Sequence, residues 1–112
     1  MWAAERQGDA FVARVSGRID ELHWERFAEA LKGGVAEASA QGCSRLVLDL
    51  SGVDYLSSRG LRALTLGKRE ADAAGLPVLL AAPNELMREI LAISRYDKIF
   101  PVRDTVAAAI EG

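Results

Sequence analysis

Two short, almost wholly apolar runs limit this chain more than anything else in it. They are Leu46-Val47-Leu48-Asp49-Leu50, bounded by Gly42 and Gly52, and Pro77-Val78-Leu79-Leu80-Ala81. Neither alternates, so each reads as a strand buried on both faces, as in a parallel sheet covered by helices. Between them, Ser57 to Ala74 opens on a serine pair, carries Leu61, Leu64, Ala71 and Ala74 along one side, and is followed by Gly75. Serine before and glycine after such a segment are helix start and stop signals. Strand, helix, strand in that order is a right-handed parallel crossover, and the fold class is α/β.

The flanking segments extend that unit. Phe11 to Ser16 alternates, with Phe11, Ala13 and Val15 on one face and Arg14 and Ser16 on the other, the period of a half-exposed strand. Trp2 to Arg6 is its antiparallel partner, turning at Gly8-Asp9. Trp24, Phe27, Leu31, Val35 and Ala38 recur at helical steps across His23 to Gln41, and Gly33-Gly34 inside that helix predicts a kink or an early break. Asn84 caps a short helix carrying Leu86, Met87, Ile90 and Leu91; Ile99 to Val102 suits an edge strand; Asp104 caps a terminal helix through Ile110. The expectation is a single domain over residues 1–112, a mixed sheet of about five strands with about four helices packed on it. Half of the 112 residues are hydrophobic, enough for one core and not for two. No internal repeat or linker interrupts the chain.

Charge and residue usage narrow the function. Fourteen Lys and Arg against sixteen Asp and Glu leave a net charge of -2, without the basic excess that drives nucleic-acid binding. Cys43 and His23 are single residues of their kinds, too few for a zinc or iron site, and no cofactor is expected. The first residues lack the basic start and apolar run of a signal peptide, and no stretch approaches the roughly 20 apolar residues of a membrane span. A soluble, cytoplasmic protein without direct membrane insertion is expected. Gly67-Lys68 is followed by Arg69 and lacks the first glycine of a P-loop, and Gly-x-Ser-x-Gly is absent. No base, nucleophile and orienter can be named together, so no catalytic residues are assigned.

One constellation remains, Asp49-Leu50-Ser51-Gly52-Val53-Asp54-Tyr55-Leu56-Ser57-Ser58-Arg59-Gly60-Leu61. It runs from the C-terminal end of the central strand into a helix start, where open α/β sheets place function. Two hydroxyls sit there beside free backbone amides and the positive end of the helix dipole, which favour an anion such as a phosphate. The segment from Leu46 through Leu64 resembles the signature of the STAS domain family, and in particular its bacterial anti-sigma factor antagonists. Gly17-Arg18-Ile19-Asp20 resembles that family's Gly-x-Leu/Ile-Asp after the second strand, and Ala73 to Leu80 its helix-to-strand junction.

The resemblance implies partner switching. An unphosphorylated antagonist binds an anti-sigma factor of the histidine-kinase-like ATPase type, that kinase phosphorylates it on serine and releases it, and a metal-dependent serine/threonine phosphatase reverses the mark. The family's Asp-Ser-Ser/Thr-Gly-Leu carries the acceptor over to Ser58, with Gly60 and Leu61 ending the motif. Ser57 stands where the aspartate often is and Arg59 where a second hydroxyl is common; Arg59 is placed to pair with a phosphate on Ser58. Asp20, Ser57, Ser58, Arg59, Gly60 and Arg62 form the expected partner-binding set. All but Ser58 have a simpler reading as well: Ser57 as the helix cap, Asp20 as the cap of the first helix, Gly60 as a close-packing position, and Arg59 and Arg62, with Arg69, as a solvated face. Trp24 and Phe27 read as core. STAS domains also serve as accessory subunits of membrane transporters, including lipid ABC systems, and the helix start leaves a nucleotide-binding sensor as a further alternative.

Overall fold

The computed structural model describes residues 2–112. Strand β1 (Trp2–Gln7) turns into β2 (Ala10–Ile19), followed by α1 (Trp24–Ala40), β3 (Arg45–Leu56), α2 (Ser58–Ala73), β4 (Val78–Ala81), α3 (Glu85–Ile93), a single 3-10 turn (Tyr96–Lys98), β5 (Val102–Arg103) and α4 (Val106–Glu111). The five strands form one sheet in sequence order. β1 pairs antiparallel with β2 and every other neighbouring pair is parallel. The mixed α/β architecture expected from the two apolar runs is present, with β3 at the centre of the sheet.

Burial explains why those runs lack alternation. Leu46, Leu48 and Leu50 face the main core with Phe27, Leu31 and Val35 of α1, Ala63 and Leu64 of α2, and Met87 and Leu91 of α3. Val47 and Leu79 point to the opposite face, where Ala109 of α4 closes a smaller cluster. Fully burying one leucine or valine contributes about 1.5–3 kcal/mol, so a strand apolar on both faces needs helices on both. The same face division corrects the reading of β2: Ala10 and Val12 are buried against the α4 side, so only its later residues are half-exposed.

Four boundaries differ from expectation. α1 runs unbroken through Gly33-Gly34, because Gly34 serves packing: a Cβ there would lie 2.7 Å from the Trp2 ring. β3 continues past Gly52 to Leu56 because β2 accompanies it, pairing Ser16 with Gly52 and Ile19 with Leu56 across two register shifts. β5 is only two residues long, Phe100 having turned into the core and Ile99 standing exposed. Thr105 caps α4 by accepting from the Ala108 amide, while Asp104 pairs with Arg88 at 3.0 Å. Trp24 is half-buried at the core margin; Phe27 is buried as expected.

Candidate functional site

β2 and β3 end side by side, and their ends position the start of α2. The Ser57 amide donates to the Ile19 carbonyl at 2.9 Å, tying the helix start to the end of β2. Ser57 itself has extended backbone angles, and its Oγ accepts from the Gly60 amide at 3.2 Å. Only 6% of Ser57 is exposed, so its hydroxyl is committed inward as the helix cap. A Cβ on Gly60 would lie 2.5 Å from Leu56 Cδ1 and 3.2 Å from the Ile19 carbonyl oxygen. The first turn of α2 therefore rests directly on the strand ends, the close packing read from the sequence.

With Ser57 turned in, Ser58 is the first residue of α2 and is exposed. The two adjacent hydroxyls are thus separated by burial. Ser57→Ala is expected to lower stability by about 1 kcal/mol, measured as a lower urea midpoint with an unchanged slope.

Asp20 does not cap α1. His23 occupies the N-cap position, without a side-chain cap bond, while the Asp20 carbonyl accepts from the amides of His23 and Trp24. The Asp20 carboxylate accepts from His23 Nδ1 at 2.7 Å and from the Leu22 amide at 3.0 Å. The hydrogen bond from His23 leads in holding the Asp20 carboxyl below the ordinary carboxylate range, and the Leu22 amide assists. Because the folded value lies below the unfolded one, this stabilisation is present above the unfolded pKa of about 3.9 and is lost as pH falls through the folded value. A carbon-detected NMR titration should place the Asp20 midpoint below that of free aspartate, and His23→Ala should move it back up.

The basic residues of the site are already engaged in part. Arg59 does not reach back over Ser58: its Nε lies 2.9 Å from Glu21, and its guanidinium stands 5.7 Å from the Trp24 ring centre. Arg18 lies over the Tyr55 ring at 4.7 Å, with Asp20 at 4.0 Å. Arg62 is exposed, one turn further along α2. The structure brings Asp20, Ser57, Ser58, Arg59 and Gly60 to one edge of the molecule, where Ile19 and Leu56 end their strands. Leu22, 84% exposed, projects from the same turn as Asp20.

Glu21 and His23 join this site without having been given a role from the sequence, and Tyr55, named there only as part of the segment leading into α2, lies under Arg18. Glu21 and Arg59 lie far apart in the chain and no spacing signals their pairing. Asn84 also contributes: its Oδ1 accepts from the Met87 amide as the cap of α3, and its Nδ2 donates to the Val53 carbonyl at 3.0 Å, anchoring β3 beyond its pairing with β4. Among the described residues there is no group of three or more His, Cys, Asp and Glu placed to hold a metal ion. No described helix is long and apolar enough to cross a membrane.

Known proteins share this fold. The family model for the STAS domain matches residues 1–109. BtrV of Bordetella bronchiseptica, provisionally named an anti-sigma factor antagonist, is 36% identical over 87 residues, 75% of each chain. The structure of an anti-sigma factor antagonist from Mycobacterium paratuberculosis superposes with a TM-score of 0.78 at 27% identity, covering 99% of this chain and 91% of that one. The phosphorylated form of the Bacillus cell fate determinant SpoIIAA has the same fold, with a TM-score of 0.66 at 19% identity, covering 99% of this chain and 97% of that one.

Proposed function

The chain belongs to the STAS domain family, and on that premise we propose that it is an anti-sigma factor antagonist that acts by partner switching, with Ser58 as the phosphorylated residue. The observation that carries this reading is the division of labour between adjacent serines: Ser57 is buried as the cap of α2, whereas Ser58 is exposed at the same helix start. A kinase reaches an exposed hydroxyl, and the free amides and dipole of the helix N-terminus favour the resulting charge of about -1.5 to -2. The mark leaves the fold intact and acts on the surface that a partner meets.

The unphosphorylated surface docks an anti-sigma factor of the histidine-kinase-like ATPase type through Asp20, Leu22, Ser58 and Arg62. Phosphorylation by that kinase breaks the complex, and a serine/threonine phosphatase restores the antagonist. Arg59 is held by Glu21, so a phosphate on Ser58 competes with that carboxylate for it. Binding takes place in the cytoplasm, without nucleic acid or a cofactor, and this chain performs no catalysis. The sequence identity to BtrV, 36% over 87 residues, supports this over a role beside a membrane transporter. Affinity purification from source cells separates the two roles: recovery of a soluble ATPase that binds the purified protein saturably is expected, and recovery of transporter subunits from the membrane fraction in its place would contradict the proposal.

A further inference from the structure

A groove of about 340 Å³ lies open between the end of β2 and the first half of α1. Val15, Ile19 and Phe27, all buried, form its floor, and Trp2 closes one side. Gly17 leaves bare backbone in its wall; its φ of +96° suits glycine, and no atom stands within 4 Å of where a Cβ would be. The ionisable groups among its described lining are Arg18, Arg26 and His23, and no carboxylate lines it. Asp20 meets Arg18 and His23 from outside, whereas Arg26 has no hydrogen bond or ion pair among the described residues.

We propose that this groove is a binding site for a small anionic amphiphile, a carboxylate or phosphate ester carrying an apolar chain or ring. Size, lining and sign of charge each support it. The volume falls in the range of about 300–1,000 Å³ typical of small-molecule sites, and such sites pair an apolar lining with a few polar groups that orient the ligand. The chain as a whole carries more Asp and Glu than Lys and Arg, so a groove lined by two arginines and no carboxylate is not a sample of the average surface. A guanidinium at the rim of an apolar slot offers paired donors to a carboxylate or phosphate, and an apolar tail on the floor displaces water from Val15, Ile19 and Phe27. Arg26 is the head-group residue, because Arg18 already meets Asp20 whereas the Arg26 guanidinium has no ion pair among the described residues.

The test is an amide NMR titration of the full chain with decanoate, decyl phosphate, decanol and decyltrimethylammonium, which share a tail and differ in head group. Saturable shifts at Val15, Gly17, Ile19 and Phe27 and at the Trp2 indole are expected with both anions, and whichever binds tighter identifies the preferred head. Arg26→Glu, at an exposed helix position, should weaken both anions about tenfold or more without changing thermal unfolding. Ala30→Phe should block binding by filling the groove. Shifts that do not saturate, shifts centred elsewhere, equal binding of decanol or the cation, or unchanged affinity in Arg26→Glu would each overturn the proposal.

Discussion

Ser58→Asp is expected to weaken the complex with the anti-sigma factor at least about thirtyfold while leaving the fold as stable as before or slightly more so. The two effects separate because Ser58 belongs to two environments. In the free protein it is exposed at the first position of α2, where a carboxylate meets the positive end of the helix dipole and gains about 0.3–1 kcal/mol. In the complex the same carboxylate loses water without a prepared partner, since Arg59 is paired with Glu21, and an unpaired buried charge at an interface costs about 2–5 kcal/mol. Ser58→Ala removes only a hydroxyl, so it should bind like the parent protein and resist release by ATP. Titration calorimetry reads the affinities and thermal unfolding the stabilities. Equal affinity of the two variants would remove Ser58 from the switch.

Gly60→Val should produce the larger change in stability, about 1–3 kcal/mol of loss, and should reduce partner affinity even though its side chain points away from the partner. The added Cβ would press on Leu56 Cδ1, on Ile19 Cγ2 and on the Ile19 carbonyl, which already accepts from the Ser57 amide, and the two methyl groups of valine add bulk to the same crowded place. Side chains can turn aside, but the carbonyl belongs to the strand end and cannot do so without moving β2. The first turn of α2 must lift, carrying Ser57 out of its cap and Ser58 out of position. Gly60→Ala is the graded control: helix propensity returns up to about 1 kcal/mol, against contacts that partly relax. Urea denaturation of the three proteins should rank Gly60→Val well below the other two; a midpoint for Gly60→Val equal to that of the parent would show that the helix does not rest on the strand ends.

Particular residues show which parts of this architecture a single sequence reveals. The β3-α2-β4 crossover is readable because burial on both faces leaves unbroken apolar runs, and because Ser57 and Gly75 mark the helix at both ends. Asn84 is equally plain as a cap. The continuation of β3 through Ser51-Gly52-Val53-Asp54-Tyr55 is not, since glycine and alternating polar residues read as a loop until β2 is seen to run beside them. Asp104 and Thr105 are adjacent residues with equal capping chemistry, and only the helix phase selects Thr105. Gly33-Gly34 reads as a weak point from propensity, yet Gly34 is where the Trp2 ring packs, a long-range contact that outweighs a local cost of about 1 kcal/mol.

The site divides in the same way. Ser57 and Gly60 follow from local rules of capping and close packing, and the structure bears both out. The pairing of Arg59 with Glu21 depends on how the β2-α1 turn lies against α2, which no spacing encodes, whereas the His23–Asp20 hydrogen bond is local to that turn, three residues apart. That difference matters for function, because it turns Arg59 from a waiting phosphate ligand into a group that must first leave a carboxylate.

The most direct test of the switch is intact-mass and phosphopeptide analysis of the protein after incubation with ATP and a soluble lysate of its source cells, beside Ser57→Ala and Ser58→Ala. Addition of a single phosphate to the parent protein and to Ser57→Ala, and none to Ser58→Ala, is the predicted result. A phosphate retained in Ser58→Ala, or none on any form while a known kinase substrate in the same lysate is labelled, would contradict it.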